Sequence, residues 1–230
     1  MAQAAATTPA VPQLAQGKRG RGPLRVLIGT LISARTKDAV TSVATERLFS
    51  LAATAEELAL LEPQQVARAI HPAGFYRTKG GQIVAAARML RDRHGGEVPA
   101  TREELMALPG VGRKTANLVL GVAFRVPAIC VDIHVHRISN RVGWVATATP
   151  LATEERLMQL LPRECWIEVN RALVGFGQRV CTPRRPSCEK CPLARGCPKV
   201  GVAAYGAAAP GAGAAVARLE PTQDQGAPPA

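Results

Sequence analysis

Apolar and polar positions along the 230-residue chain recur at helical spacing. No segment sustains the strict alternation that marks a half-buried strand. Leu24 to Ser33, directly after Pro23, reads as an apolar helix, and Lys37 to Phe49 as an amphipathic one. Thr54 with Glu57 forms a capping-box signature that opens a short helix, and Thr101 with Glu104 repeats it. Thr78 to Arg93 is a further helical run, stopped by Gly95-Gly96. The stretch LPGVGRKTANLVL, residues 108–120, carries a glycine-rich turn into an apolar helix. Thr153 to Leu161 and Trp166 to Gly175 complete the series. The pattern predicts an all-α protein of two helical lobes, about 23–126 and 127–200.

Composition adds two tails. Residues 1–22 and 201–230 are rich in Ala, Pro and Gly and are expected to be disordered. The formal charge is +12, and the C-terminal tail contributes only Arg218, Glu220 and Asp224 to it. The N-terminal tail adds Lys18, Arg19 and Arg21, so most of the excess positive charge belongs to the part between the tails. It predicts a polyanionic partner. The longest apolar run, Leu118 to Phe124, is too short to cross a bilayer. The N-terminus lacks the charged-then-apolar pattern of a secretory signal. No basic amphipathic helix argues for a membrane surface, so nucleic acid is the expected partner. A cytoplasmic, nucleoid-associated location is expected; the acid-poor N-terminus leaves an organelle address open.

The turn Pro109-Gly110-Val111-Gly112 holds two glycines, which let backbone approach a ligand closely. Free amides at the start of the next helix suit a phosphate. An ordinary helix–turn–helix connection fits the same residues. The first turn of that helix carries Arg113 and Lys114, at the end of the macrodipole where cations are disfavoured. A position poor for a structural lysine is good for a nucleophilic one. The dipole, Arg113 and partial burial would all favour the neutral amine. A lysine that contacts phosphate beside the hairpin fits the physics equally well.

Asp132, in VDIHVHRISNR, follows an apolar stretch and precedes a helical one, so it reads as an N-cap. That role is compatible with a catalytic one. His134 and His136 stand two residues apart on a helix and point to different faces, which argues against a shared metal. They read as structural or DNA-facing. Six cysteines are present, four of them spaced Cys181-x6-Cys188-x2-Cys191-x5-Cys197. Without a signal peptide this cluster reads as metal binding rather than as disulfides. A four-thiolate zinc site and an iron–sulfur cluster both fit. Cys130 and Cys165 lie in apolar surroundings and read as core thiols.

Leu105-x-x-Leu108-Pro109-Gly110-Val111-Gly112-x-x-x-Ala116 resembles the helix–hairpin–helix motif of DNA-repair proteins, and LPGVGRKTAN resembles its form in the endonuclease III family of DNA glycosylase/AP lyases. The likeness runs from about Leu24 to Lys199, through TLISARTKD, GFYRTKGGQI, VDIHVHRISNRVG and NRALVGFGQRVC. It implies Lys114 as the nucleophile and Asp132, matching the aspartate of the family's VDTHxxR segment, as the second catalytic group. It implies a [4Fe–4S] cluster on Cys181, Cys188, Cys191 and Cys197. That cluster would fix a loop whose Arg184, Arg185, Lys190, Arg195 and Lys199 meet phosphates. It further implies DNA contacts from Gly110, Val111, Gly112 and His134. The partner would be double-stranded DNA with damaged pyrimidines or AP sites, bound by a monomer.

Two departures stand out. Arg35 replaces a frequent glutamine, and Phe75 a frequent leucine, at positions that fill the hole left by a flipped-out base. The family's preceding N-terminal helix is not evident. The implied activity is removal of oxidised pyrimidines followed by AP-site cleavage. Alternatives are a monofunctional adenine-type glycosylase, a branch lacking a lysine at the Lys114 position, and a non-catalytic DNA-binding or redox protein on the same fold. Because the folded part is strongly basic, affinity for DNA should fall steeply with salt. Titrations across a range of ionic strength check this, and a flat response would count against the proposed interface.

Overall fold

The computed structural model describes residues 22–203. The two composition-biased tails lie outside them, apart from residue 22 and residues 201–203. The described chain forms ten α-helices and, among the described residues, no strand. In order they are α1 (Pro23–Ser33), α2 (Asp38–Leu51), α3 (Ala55–Leu60), α4 (Pro63–Ile70), α5 (Tyr76–His94), α6 (Arg102–Ala107), α7 (Arg113–Ala123), α8 (Ile133–Arg141), α9 (Pro150–Leu160) and α10 (Trp166–Arg179).

Two apolar cores organise them. The first is built on α1, whose residues 25–32 are all buried. A helix apolar on every side belongs in the middle of a bundle, and α1 packs against α2, α5 and α7. Leu48, Leu58, Ile70, Ile83, Leu90, Leu105 and Val119 close around it. The second core joins Ile129, Val135, Ile138, Leu157 and Leu173 from α8, α9, α10 and the segment before α8.

Local signals mostly act as expected. Thr54 and Glu57 form the full capping box. At Thr101 only half of it forms, because the Glu104 carboxylate takes the threonine hydroxyl instead of the backbone N–H. Gly95 and Gly96, at φ +58° and +85°, end α5, and the Gly96 N–H bonds to Leu90 O. Three details differ. Helix α4, opened by Pro63 behind a Glu62/Gln65 box and burying Val66, Ala67 and Ile70, falls where the series above predicts no helix. Helix α5 begins at Tyr76, two residues earlier than its polar start suggests, because Phe75 turns the chain with a left-handed φ of +57°. Cys165 is exposed rather than in the core. It sits in a single 3₁₀ turn, and the adjacent Trp166 takes the inner position with its indole N–H on Leu161 O.

The chain between α7 and α8 has no regular structure, yet Ala128 to Val131 are buried. Two buried asparagines supply the hydrogen bonds it needs. Asn117 on α7 donates to Ile129 O at 2.9 Å, and Asn170 on α10 donates to Cys130 O at 3.0 Å. Asn117 is itself held by Arg102 Nε at 2.9 Å. Leaving such a buried carbonyl unpaired costs about 1–3 kcal/mol. The isosteric Asn117→Leu should lose that much in urea unfolding; a change below about 0.5 kcal/mol would show that the bond to Ile129 does not hold the segment.

Candidate active site

Helices α6 and α7 and the turn between them form a helix–hairpin–helix. Leu105, Leu108 and Val111 are buried beneath the turn and seat it on the first core. Gly110 adopts φ +80°, a conformation glycine enters without penalty, and a Cβ there would meet the Gln82 side chain at 3.0 Å. Gly112 is the N-cap of α7 and has open space around it. No side chain caps that end, and its first turn holds no acidic residue. The α7 amides and the positive end of its dipole therefore face solvent, ready for an anion.

The two cations that follow take opposite directions. Arg113 turns inward and pairs two-pronged with Glu154 of α9, Nε to Oε2 at 2.9 Å and Nη2 to Oε1 at 3.0 Å. The Glu154 side chain is 4% exposed. Lys114 turns outward and is exposed. The expected partial burial is thus absent, because Ala116, Val119 and Leu120 occupy the packed face of α7 and Lys114 lies off it. The Arg113 charge is likewise balanced by Glu154. What acts on Lys114 from its own helix is the uncapped N-terminus.

Asp132 is the N-cap of α8. Its Oδ1 accepts the amides of His134 at 2.9 Å and Val135 at 2.8 Å. Oδ2 takes no part in the cap. His134 is the second residue of α8, with Nδ1 3.1 Å from Arg137 Nη2. Accepting from a guanidinium requires the neutral imidazole, and burial lowers the His134 pKa, with Asp132 opposing. Gly177 on α10 makes room for this ring, since a Cβ there would lie 2.5 Å from Nδ1. His136 points elsewhere and bonds Thr153 Oγ1 at 2.6 Å, so the two imidazoles share no site.

Lys114 and Asp132 converge electrostatically. Both act on His134, as does Asp38 at the start of α2. Both act also on the Cys130 thiol, which burial pushes up to about 12. Lys114 and Asp132 thus share an electrostatic neighbourhood with His134 and the fully buried Cys130 thiol. Asp38 is tied across to α10 by Gln178 at 3.4 Å. Sequence reasoning missed Asp38, Glu154, Asn117 and Asn170. The two asparagines left a trace, as polar residues on otherwise buried helix faces.

Arg35 and Phe75, far apart in sequence, come together. Both are exposed and both have left-handed φ, +52° and +57°. The Arg35 guanidinium carbon stands 5.3 Å from the centre of the Phe75 ring, a cation–π pair.

At the far end of α8 all four clustered cysteines line one small cavity, walled also by Arg141, Phe176, Val180 and Val202. Arg141 organises the loop. It donates to Thr182 O at 2.7 Å and Pro183 O at 2.6 Å and approaches Cys181 Sγ at 3.6 Å. Its own carbonyl lies 3.5 Å from Cys197 Sγ. Burial raises the Cys197 pKa, and the other three cysteines act on it too, so the sulfurs share one compartment. Arg184, Arg185, Lys190 and Arg195 ring the loop on its exposed side. Among the described residues no helix is long and apolar enough to cross a membrane.

Residues 28–163 match the model of the HhH-GPD superfamily base excision DNA repair proteins. Endonuclease III of Thermotoga maritima is 50% identical over 175 residues, spanning 76% of this chain and 82% of that protein. The chloroplastic endonuclease III homolog 2 of Arabidopsis thaliana is 44% identical over 182 residues, 75% of this chain but 47% of that longer protein. Among solved structures, a trapped endonuclease III–DNA covalent intermediate, an estranged-adenine complex, superposes with a TM-score of 0.75 at 36% identity, covering 83% of this chain and 93% of that one. With its helix–hairpin–helix and its pair of helix-terminal charged residues, this chain belongs to the endonuclease III family of base excision DNA repair proteins and is a DNA glycosylase/AP lyase.

Proposed function

We propose that the protein removes oxidised pyrimidines from duplex DNA and cleaves the resulting AP site by β-elimination, with Lys114 as nucleophile and Asp132 as its carboxylate partner. The observation that carries this reading is their convergence. An exposed amine at the start of α7 and a carboxylate at the start of α8, with only Oδ1 in the helix cap, are held to one another by Asn117, which bonds α7 to Ile129 three residues before Asp132.

The chemistry follows from those two groups. Loss of the base develops positive charge on the sugar, and the Asp132 carboxylate stabilises it. The neutral Lys114 amine attacks C1′ as the C1′–N bond breaks, and the base leaves with that electron pair and takes up a proton. Ring opening gives an imine between Nζ and C1′. The imine accepts the electrons released when a C2′ proton is removed, and the C3′–O bond breaks to free the 3′ phosphate. Water then hydrolyses the imine and restores the lysine. Asp132 is suited to the proton transfers because only Oδ1 is committed to the helix cap.

The remaining residues take supporting parts in the same reading. The Gly110-Val111-Gly112 turn and the uncapped α7 amides hold a phosphate without reading a base. His134 faces the DNA beside Asp132. Arg35 and Phe75 fill the space left by the flipped nucleotide. Cys181, Cys188, Cys191 and Cys197 hold a [4Fe–4S] cluster. Their shared cavity, with its loop tied down by Arg141, supports a bound group. When bound, the cluster supplies a rigid anchor for the basic loop. The two apolar cores support a division into lobes near residues 126–128, and a monomer suffices for the whole arrangement.

Incubation with thymine-glycol duplex and borohydride tests the reading. Wild type should form a covalent protein–DNA adduct, and Lys114→Ala should form none while still binding the duplex. An adduct that survives in Lys114→Ala would assign the chemistry to another amine. No adduct from intact wild type would remove the lyase step.

A further inference from the structure

Lys79, in the first turn of α5, is only 5% exposed. Its ammonium has three donors, and the structure supplies three acceptors: Ile32 O and Ala34 O, each at 2.6 Å, and Thr36 Oγ1 at 3.0 Å. The two carbonyls belong to the C-terminal end of α1, where carbonyls lack helical partners and a cation is favoured. Thr36 Oγ1 also accepts the N–H of Gly74 at 3.1 Å. One ammonium and one hydroxyl thus tie the turn after α1 to the turn before α5.

The two turns lie very close. A Cβ on Gly74 would fall 2.3 Å from the Arg35 carbonyl oxygen. The side chains that project from the tied turns are those of Arg35 and Phe75. Both backbones are left-handed at non-glycine residues, a state that persists only where the surroundings over-determine it. Phe75 is 60% exposed, so packing beneath the ring does not fix it. The fixing comes from the backbone. Burial pushes the Lys79 amine down to about 8, so at neutral pH it keeps its proton and all three donors.

We propose that Lys79 is a positioning residue for base extrusion: by joining Ile32, Ala34 and Thr36 it holds Arg35 and Phe75 as one stacked unit aimed at the DNA, and so sets how the enzyme discriminates the base opposite the lesion. Lys79 acts through that unit and touches no DNA. The inference rests on the reading of Arg35 and Phe75 as the residues that fill the flipped-base void.

The test compares four forms of the full chain: wild type, Lys79→Met, Thr36→Val and the double variant Arg35→Ala/Phe75→Ala. Lys79→Met keeps the stem and removes the donors. Thr36→Val breaks the same tie independently, in case the first variant folds poorly. Each is assayed by single-turnover excision of thymine glycol opposite each of the four bases, and by the fluorescence of 2-aminopurine placed opposite the lesion. Lys79→Met and Thr36→Val should each compress the spread between best and worst opposite base by fivefold or more. Their 2-aminopurine emission should move toward that of the double variant, while borohydride trapping on AP-site DNA stays within twofold of wild type. If the double variant loses the spread and both single variants keep it, the positioning role of Lys79 is wrong and the void-filling reading stands. If the double variant itself keeps the wild-type spread and emission, the void-filling reading falls and the inference falls with it.

Discussion

Two buried side-chain amides hold this architecture together. The segment from Ala128 to Val131 runs through the interior without helix or strand, so its peptide groups need partners from elsewhere. Asn117 gives one from α7 and Asn170 gives another from α10. The segment is thereby tied from both sides immediately before Asp132. Asn117 stands one turn into the helix that begins with Arg113 and Lys114. The same amide that satisfies Ile129 also ties the start of α7 to the segment that leads into α8. Neither helix could shift along its axis without leaving a buried carbonyl unpaired.

The adjacent cations of α7 divide two tasks that one residue could not perform. Arg113 binds the second lobe through a carboxylate buried on α9. A guanidinium suits that fork geometry and keeps its charge throughout. Lys114, freed from any structural pairing with Glu154, is left to the cleft. A helix end that lacks both acid and cap leaves its amides open to an anion, with an exposed lysine beside them.

Much of this was legible in the sequence, and the rest was hidden for physical reasons. Helices with a broad apolar face, such as α1 and α7, declare themselves through periodicity. Capping residues mark others, as Thr54 does for α3. Asp132 was readable because a cap needs an acceptor at that spacing. The exposure of Lys114 was not readable: dipole and neighbour lie in the local sequence, but burial depends on which face of α7 meets the core. Long-range pairs were silent for the same reason. Nothing near Lys79 names its acceptors more than forty residues upstream, and nothing near Arg113 names Glu154. Cys165 misled because apolar neighbours describe composition, whereas a single 3₁₀ turn decides which of Cys165 and Trp166 goes inside.

The exposure of Lys114 has a consequence for how the enzyme is switched on. Among the described residues no wall shields that amine from water, so they form an open bench rather than a closed chamber. The missing wall is the nucleic acid. Once a duplex lies along the hairpin and a nucleotide swings into the cleft, the substrate itself excludes solvent and completes the compartment. A detached sugar aldehyde of similar reactivity brings no such wall with it and meets only a hydrated lysine. On the proposed chemistry, fidelity at this first level is architectural: a reactive side chain can remain open to water because a long, anionic, deformable polymer closes the room around it.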